Sequence, residues 1–197
     1  MSFSINDLID PISGERRYLN KEERGAFKAA VQYMKPDAKL YCLMLYYTGC
    51  RANEALEITP DRLDFKECWV RFRTLKQNPD RPDKYRIVEL PEEYLAALES
   101  EYKAKTRKGK RGGKIPLWSF GYRTGYKYVK QAMQAAGIEG KKATPRGLRH
   151  SMGVMLALDK VPVNVIQDIL GHTAVQNTLI YMQIVGNERR ELISGVW

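Results

Sequence analysis

The order of apolar and polar positions along the chain predicts a mostly helical protein interrupted once by strands. Asn20, followed three residues later by Glu23, has the form of a capping box that opens a helix running to about Met34. Pro36 starts a second helix, to about Thr48, which Gly49 stops. That helix carries Leu40, Cys42, Leu43, Met44, Leu45 and Tyr46, apolar on nearly every side, and belongs at the centre of the fold. A shorter helix follows over 52–58. The period then changes. Cys68–Thr74 alternates like a strand, Tyr85–Leu90 does the same, and Asn78-Pro79-Asp80 between them signals a turn. A β-hairpin is expected, with or without one further strand. Helices resume at Pro91, with Leu95, Leu98 and Tyr102 on one face, and again over 122–136. The last third reads as four short helices, at about 145–158, 162–170, 174–184 and 187–194. The fold class is α+β, mostly α, with a small antiparallel sheet.

Length and composition fit one buried core. The chain has 197 residues, 44% hydrophobic and 28% charged, which excludes a disordered or collagen-like polymer. The longest apolar stretch, near 41–47, is far below the ~20 residues of a spanning helix. The start, Met1-Ser-Phe-Ser-Ile-Asn-Asp, lacks the basic and apolar regions of a signal peptide, so no export or membrane partner is expected. Cys42, Cys50 and Cys68 are odd in number and form no CxxC pair, which suits a reducing compartment and thiols in or near the core. With two histidines, a His-based metal site is hard to assemble, and no P-loop or GxGxxG is present. Neither a metal nor another cofactor is expected.

Charge points to the partner. The formal net charge is +10, and all of the excess lies between Tyr102 and Ile138. That window holds Lys103, Lys105, Arg107, Lys108, Lys110, Arg111, Lys114, Arg123, Lys127 and Lys130, with no acid between Glu101 and Glu139. Nucleic acid is the first expected partner. Arg123, Lys127 and Lys130 share one helical face, opposite a stripe of Tyr122, Tyr126, Val129 and Met133. Lys103–Lys114 reads as a basic loop or helix end that tracks phosphates without reading bases.

Four residues are unusual for a plain helical domain. Arg51 leaves the end of the central helix in TGCRANEAL (Thr48–Leu56). Arg149 lies in GLRHSMG (Gly147–Gly153). His172 and Tyr181, nine residues apart, lie in LGHTAVQNTLIYMQIV (Leu170–Val185). Their order and surroundings resemble the tyrosine recombinases, or phage integrase family, from about Asn20 to the end.

The resemblance implies a recombinase catalytic domain over 20–197, preceded by an N-terminal extension, 1–19, too short for the helical clamp domain of larger members. It implies cleavage and rejoining of double-stranded DNA without ATP or metal. Tyr181 would attack a phosphodiester to give a 3′-phosphotyrosine and a free 5′-hydroxyl. Arg51, Arg149 and His172 would hold the anionic transition state, because planar guanidinium forks match its oxygens. A hairpin lysine, matched by Lys76 or else by Lys84, would protonate the leaving 5′-oxygen. Glu54 and His150 would support these groups.

Arg146 departs from the family pattern, which has His or Lys three residues before the second arginine. An arginine is no base. Arg146 would then hold phosphate or lower the Tyr181 pKa by proximity, leaving His172 or water to accept the tyrosine proton. The same departure leaves open a DNA-binding regulator with weak or no cleavage. The family resemblance also implies a cytoplasmic, nucleoid-associated protein, monomeric when free and tetrameric on DNA. Its tail, 183–197, would pack on a neighbouring protomer through Ile193 and Trp197.

Overall fold

The computed structural model describes residues 4–74, 84–107 and 116–185. Eight α-helices and three short strands are among them: α1 Lys21–Ala30, α2 Pro36–Thr48, α3 Ala52–Leu56, β1 Leu63–Asp64, β2 Trp69–Arg73, β3 Tyr85–Glu89, α4 Glu92–Arg107, α5 Tyr122–Ala135, α6 Pro145–Leu158, α7 Val163–Leu170 and α8 Gln176–Val185. The capping box forms: Asn20 Oδ1 accepts from the Glu23 N–H at 2.8 Å, and Glu23 Oε2 accepts from the Asn20 N–H at 2.9 Å. The first helix ends at Ala30 and tightens into a 3₁₀ turn, Val31–Tyr33, ahead of Pro36. The expected helix at 187–194, and with it Ile193 and Trp197, lies outside the described residues.

α2 is buried almost throughout, from Leu40 to Leu45, and packs against α4, α5 and α6. A helix apolar on all sides must be covered on all sides, which makes α2 the axis of the larger core. Tyr41 stands edge-on to Trp118 and Phe120 there. Cys42 and Cys50 are buried, and burial lifts both thiols to about 12, so both are unreactive core residues. Cys68 is half-buried.

The sheet is antiparallel in the order β1-β2-β3, with Leu63 opposite Val70 and Trp69 opposite Glu89. The hairpin therefore has its further strand. Alternation turns Val70, Phe72, Arg86 and Val88 inward and leaves Arg71, Tyr85, Ile87 and Glu89 outside. Arg86 is thus an arginine on an apolar face.

A second, smaller core joins α6, α7 and α8: Val154, Ala157, Ile166, Leu170, Ile180 and Tyr181. Leu8, from the segment ahead of α1, is fully buried in it. Leu19 is buried as well, and its N–H donates to the Ser151 hydroxyl of α6 at 3.0 Å. No helix among the described residues is long and apolar enough to cross a membrane.

Candidate active site

The smaller core is also where the chemistry-bearing side chains meet. Tyr181, on α8, is wholly buried. Its ring lies over α6 because position 153 is glycine. A Cβ there would stand 2.4 Å from Tyr181 Cζ and 2.5 Å from Cε2. His172 stacks on the same ring, with centroids 6.2 Å apart and planes 14° apart. His150, on α6, places Nδ1 3.2 Å from the Tyr181 hydroxyl. Burial raises the Tyr181 pKa to about 12, against the opposing charges of Arg149, Arg146 and Arg51. The resting group is therefore a phenol already surrounded by cations that favour its ionised form.

His172 follows Gly171, which closes α7 in the left-handed conformation at φ 65°. A side chain at 171 would also meet the Arg86 guanidinium at 2.8 Å. The His172 Nδ1 lies 2.9 Å from Thr178 Oγ1, one turn before Tyr181. Gln167 fixes the turn by donating Nε2–H to the His172 carbonyl at 3.0 Å. Burial, then the charges of Arg149 and Arg51, lower the His172 pKa to about 3, so the ring is neutral at ordinary pH.

The two arginines are held differently. Arg149 is buried and donates to two backbone carbonyls, Gly49 at 2.9 Å and Leu170 at 2.6 Å. The ends of α2 and α7 are thus pinned to α6 by one guanidinium. Burial, then Arg51, pull Arg149 down to about 10, which leaves it charged at neutral pH. Arg51 is half-buried and pairs with Glu54 at 2.7 Å. Glu54 is buried between two cations, with Arg86 Nη2 at 2.6 Å on its other side. Burial alone would raise the Glu54 carboxyl, but Arg86 and then Arg51 outweigh it and hold the carboxyl below its usual range.

Arg86 lies outside the quoted motifs, and Thr178 lies inside one of them without being singled out. Arg86 donates Nε–H to the Ile169 carbonyl at 2.9 Å and lies over the Phe72 ring, so the sheet is tied to α7. Its signal was in the alternation of β3, where an arginine shares the face of Val88. Thr178 was marked by its place one turn before Tyr181 on the same helix.

The structure brings Tyr181, His172, His150, Arg149, Arg51, Glu54 and Arg146 into one region. Arg146 donates Nε–H to His150 Nε2 at 3.1 Å and pairs with Asp7 at 2.5 Å. Lys76 lies outside the described residues. Lys84, the other hairpin lysine, lines a cleft of about 320 Å³ together with Arg86 and His172. Of the basic window, Arg123, Lys127 and Lys130 are exposed along α5, whereas Val129 and Met133 are buried on its other side. Tyr122 and Tyr126 from that stripe reach a second cleft, shared with Arg146 and His150. Lys103 is exposed and pairs with Glu99 at 2.7 Å. Lys105 and Arg107 fall in the last turns of α4, so the helix extends into the basic segment. Lys108, Lys110, Arg111 and Lys114 lie outside the described residues.

A helical core with a three-stranded sheet, the tyrosine-bearing helix packed on α6 and α7, is the architecture of a tyrosine recombinase catalytic domain. The crystal structure of XerA recombinase superposes with a TM-score of 0.73 at 26% identity, covering 90% of this chain and 64% of that one. The catalytic domain of bacteriophage HP1 integrase has the same fold, with a TM-score of 0.64 at 22% identity, over 84% of this chain and 86% of that one. In sequence, the type 1 fimbriae regulatory protein FimE of Escherichia coli strain K12 is 31% identical over 193 residues, 93% of this chain and 91% of FimE. Tyrosine recombinase XerA of Pyrococcus furiosus is 25% identical over 162 residues, 79% of this chain and 53% of that protein. The profile of the phage integrase family matches residues 17–187. The chain belongs to the phage integrase family, as a tyrosine-type site-specific recombinase.

Proposed function

We propose that Tyr181 is the nucleophile with which this recombinase cleaves and rejoins duplex DNA. The Tyr181 Oη–phosphorus bond forms as the phosphorus–O5′ bond breaks, leaving a 3′-phosphotyrosine and a 5′-hydroxyl. The phosphoester energy is kept in the covalent bond and drives rejoining. Arg149 and Arg51 hold the non-bridging oxygens, and His172 adds a hydrogen bond to the same phosphate. Glu54 and Arg86 act on Arg51 by fixing its guanidinium before DNA arrives. A hairpin lysine, Lys76 or Lys84, protonates the leaving oxygen. The carrying observation is the Tyr181 ring stacked on His172 with its hydroxyl 3.2 Å from His150 Nδ1, within the field of three arginines.

The DNA backbone lies along the cationic face of α5, with Lys103–Lys114 as further phosphate contacts. Two XerH structures are described as bound to a difH substrate, before and after cleavage, which supports a duplex partner here. Exchange takes place in a tetramer assembled on DNA from subunits that are monomeric when free, with the 183–197 tail as the link. The site of action is the cytoplasm, at the nucleoid.

A duplex nicked just 3′ of the cleavage point traps the covalent intermediate, because the short fragment carrying the 5′-hydroxyl diffuses away. An adduct that vanishes in Tyr181→Phe is expected. Binding without any adduct would instead favour a regulator that has kept the fold and lost the chemistry.

A further inference from the structure

The segment ahead of α1 reaches the candidate nucleophile through three side chains. Asp7 Oδ1 pairs with Arg146 Nη2 at 2.5 Å, Arg146 Nε–H donates to His150 Nε2 at 3.1 Å, and His150 Nδ1 lies 3.2 Å from the Tyr181 hydroxyl. Each link is directional. An arginine Nε can only donate, so His150 Nε2 must accept. A neutral imidazole carries one proton, and that proton then sits on Nδ1. Nδ1–H can only donate to Tyr181 Oη. The segment itself is anchored: Leu8 is buried in the core around Tyr181, and Asp10 pairs with Arg17 at 2.9 Å and with Lys141.

We infer that Asp7 and Arg146 are positioning residues that hold His150 as its Nδ1–H tautomer, making it a hydrogen-bond donor to the Tyr181 oxygen and not the acceptor of its proton. This rests on the reading of Tyr181 as nucleophile. In the cleavage step the phenolic proton passes to a non-bridging oxygen of the scissile phosphodiester, a base the DNA supplies. The Oη–P bond forms, the P–O5′ bond breaks, the 5′-oxygen takes its proton from the hairpin lysine, and the phosphate then returns the phenolic proton to that lysine. As charge gathers on Oη, the Nδ1–H bond strengthens, which is differential stabilisation of the transition state. The charged groups acting on His150 are Arg146, Arg149, Asp7 and Arg17, cations outnumbering the one carboxylate, and the Tyr181 hydroxyl faces its Nδ1. Their field and burial keep the ring neutral, as a single-proton tautomer requires. Arg146 thus takes a place at the site as an arginine: its fixed donor sets the neighbouring ring, a task a titrating residue at 146 would perform only in its protonated form.

Two histidines make the test direct. The full chain, with 15N-histidine, is read by long-range proton–nitrogen NMR at neutral pH without DNA, and His172→Gln assigns the signals. His150 is expected as the Nδ1–H tautomer. Arg146→Leu is expected to return it to the Nε2–H form that free histidine prefers, with the His172 signals unchanged as a check on folding. A wild-type His150 in the Nε2–H form, or a tautomer indifferent to Arg146→Leu, overturns the inference. The functional arm uses nicked duplexes selected by this protein from a random-sequence pool. Arg146→Leu is expected to slow adduct formation about tenfold at neutral pH and move its acid limb to higher pH. A uniform loss at every pH, with DNA affinity reduced in parallel, overturns the positioning role and marks Arg146 as a phosphate contact. If wild type forms no adduct, cleavage by Tyr181 is wrong while the tautomer result still stands or falls by NMR.

Discussion

Gly153→Ala is the sharpest probe of how the fold holds the candidate nucleophile. The added Cβ would start 2.4 Å from Tyr181 Cζ and 2.7 Å from Cε1. Ordinary carbon contacts begin near 3.5 Å, so the ring must retreat by about 1 Å. Tyr181 is fully buried against His172, and little slack exists. Overpacking of this kind costs about 1–3 kcal/mol, offset by the ~1 kcal/mol that alanine gains over glycine inside a helix. The net loss of stability should therefore be small, about 0–2 kcal/mol. Catalysis should suffer more, because a ~1 Å misplacement of a reacting group is worth about 10²-fold. Single-turnover adduct formation on the nicked duplex measures the second quantity, and urea unfolding the first. Gly25→Ala in α1 is the control: nothing lies within 4 Å of its Cβ, so stability should rise with cleavage unchanged. Wild-type cleavage by Gly153→Ala would refute the claim that close packing on α6 positions Tyr181.

Glu54→Gln should destabilise the fold by about 3–5 kcal/mol, read from the urea midpoint at constant m, because Arg86 is left buried without its counter-charge. Glu54→Leu combined with Arg86→Met should recover much of that stability but not cleavage, since Arg51 has lost its partner. Lys127→Gln with Lys130→Gln should weaken binding to all duplexes alike and reduce the salt slope by about one unit for each phosphate no longer neutralised; a weakening confined to one sequence would contradict a backbone role. His150 and His172 both titrate near 3 in the folded chain, below the ordinary 6.5. Between these values the unfolded chain binds more protons, so stability rises with pH across the window and is lost as pH falls through it. His150→Gln should flatten that dependence, and an unchanged slope in pH-dependent unfolding would show that the ring is not buried as neutral imidazole.

The helices and the hairpin were legible because each rests on a local signal. Asn20 and Glu23 cap α1, Pro36 and Gly49 bracket α2, and the inward positions of the β2–β3 alternation, Val70, Phe72 and Val88, are buried. Arg51, Arg149, His172 and Tyr181 were legible as candidates through motif order. Arg86 and Asp7 were not. The Glu54–Arg86 pair spans 32 positions and the Arg146–Asp7 pair 139, and no periodicity reports a contact that only the tertiary fold creates. The segment ahead of α1 offers only scattered apolar residues along the chain, yet Leu8 is buried within the Tyr181 core. The role of position 146 is hidden for the same reason. In sequence it is a substitution for a base, while in space its Nε–H donates to His150 Nε2, the contact from which the tautomer is inferred.

On the proposed reading, the charge of the chain divides between two tasks that obey different physics. On α5, Arg123, Lys127 and Lys130 are exposed, where salt screens them and each contributes modestly and without sequence preference. Around Tyr181 the cations are few and fixed. Arg149 is clamped by the carbonyls of Gly49 and Leu170, Arg86 by Glu54 and Ile169, and Arg51 by Glu54. Were the proposed phosphorane-like anion to form there, such groups would need little reorganisation, and their low-dielectric surroundings would strengthen the attraction. The anchors are backbone atoms at the ends of α2 and α7, so the geometry of the site depends on where those helices stop. Lengthening either helix by a turn would carry the carbonyls away from Arg149 without altering a single charged residue. The glycines at 49 and 171 are therefore as much a part of the site as the arginines they orient.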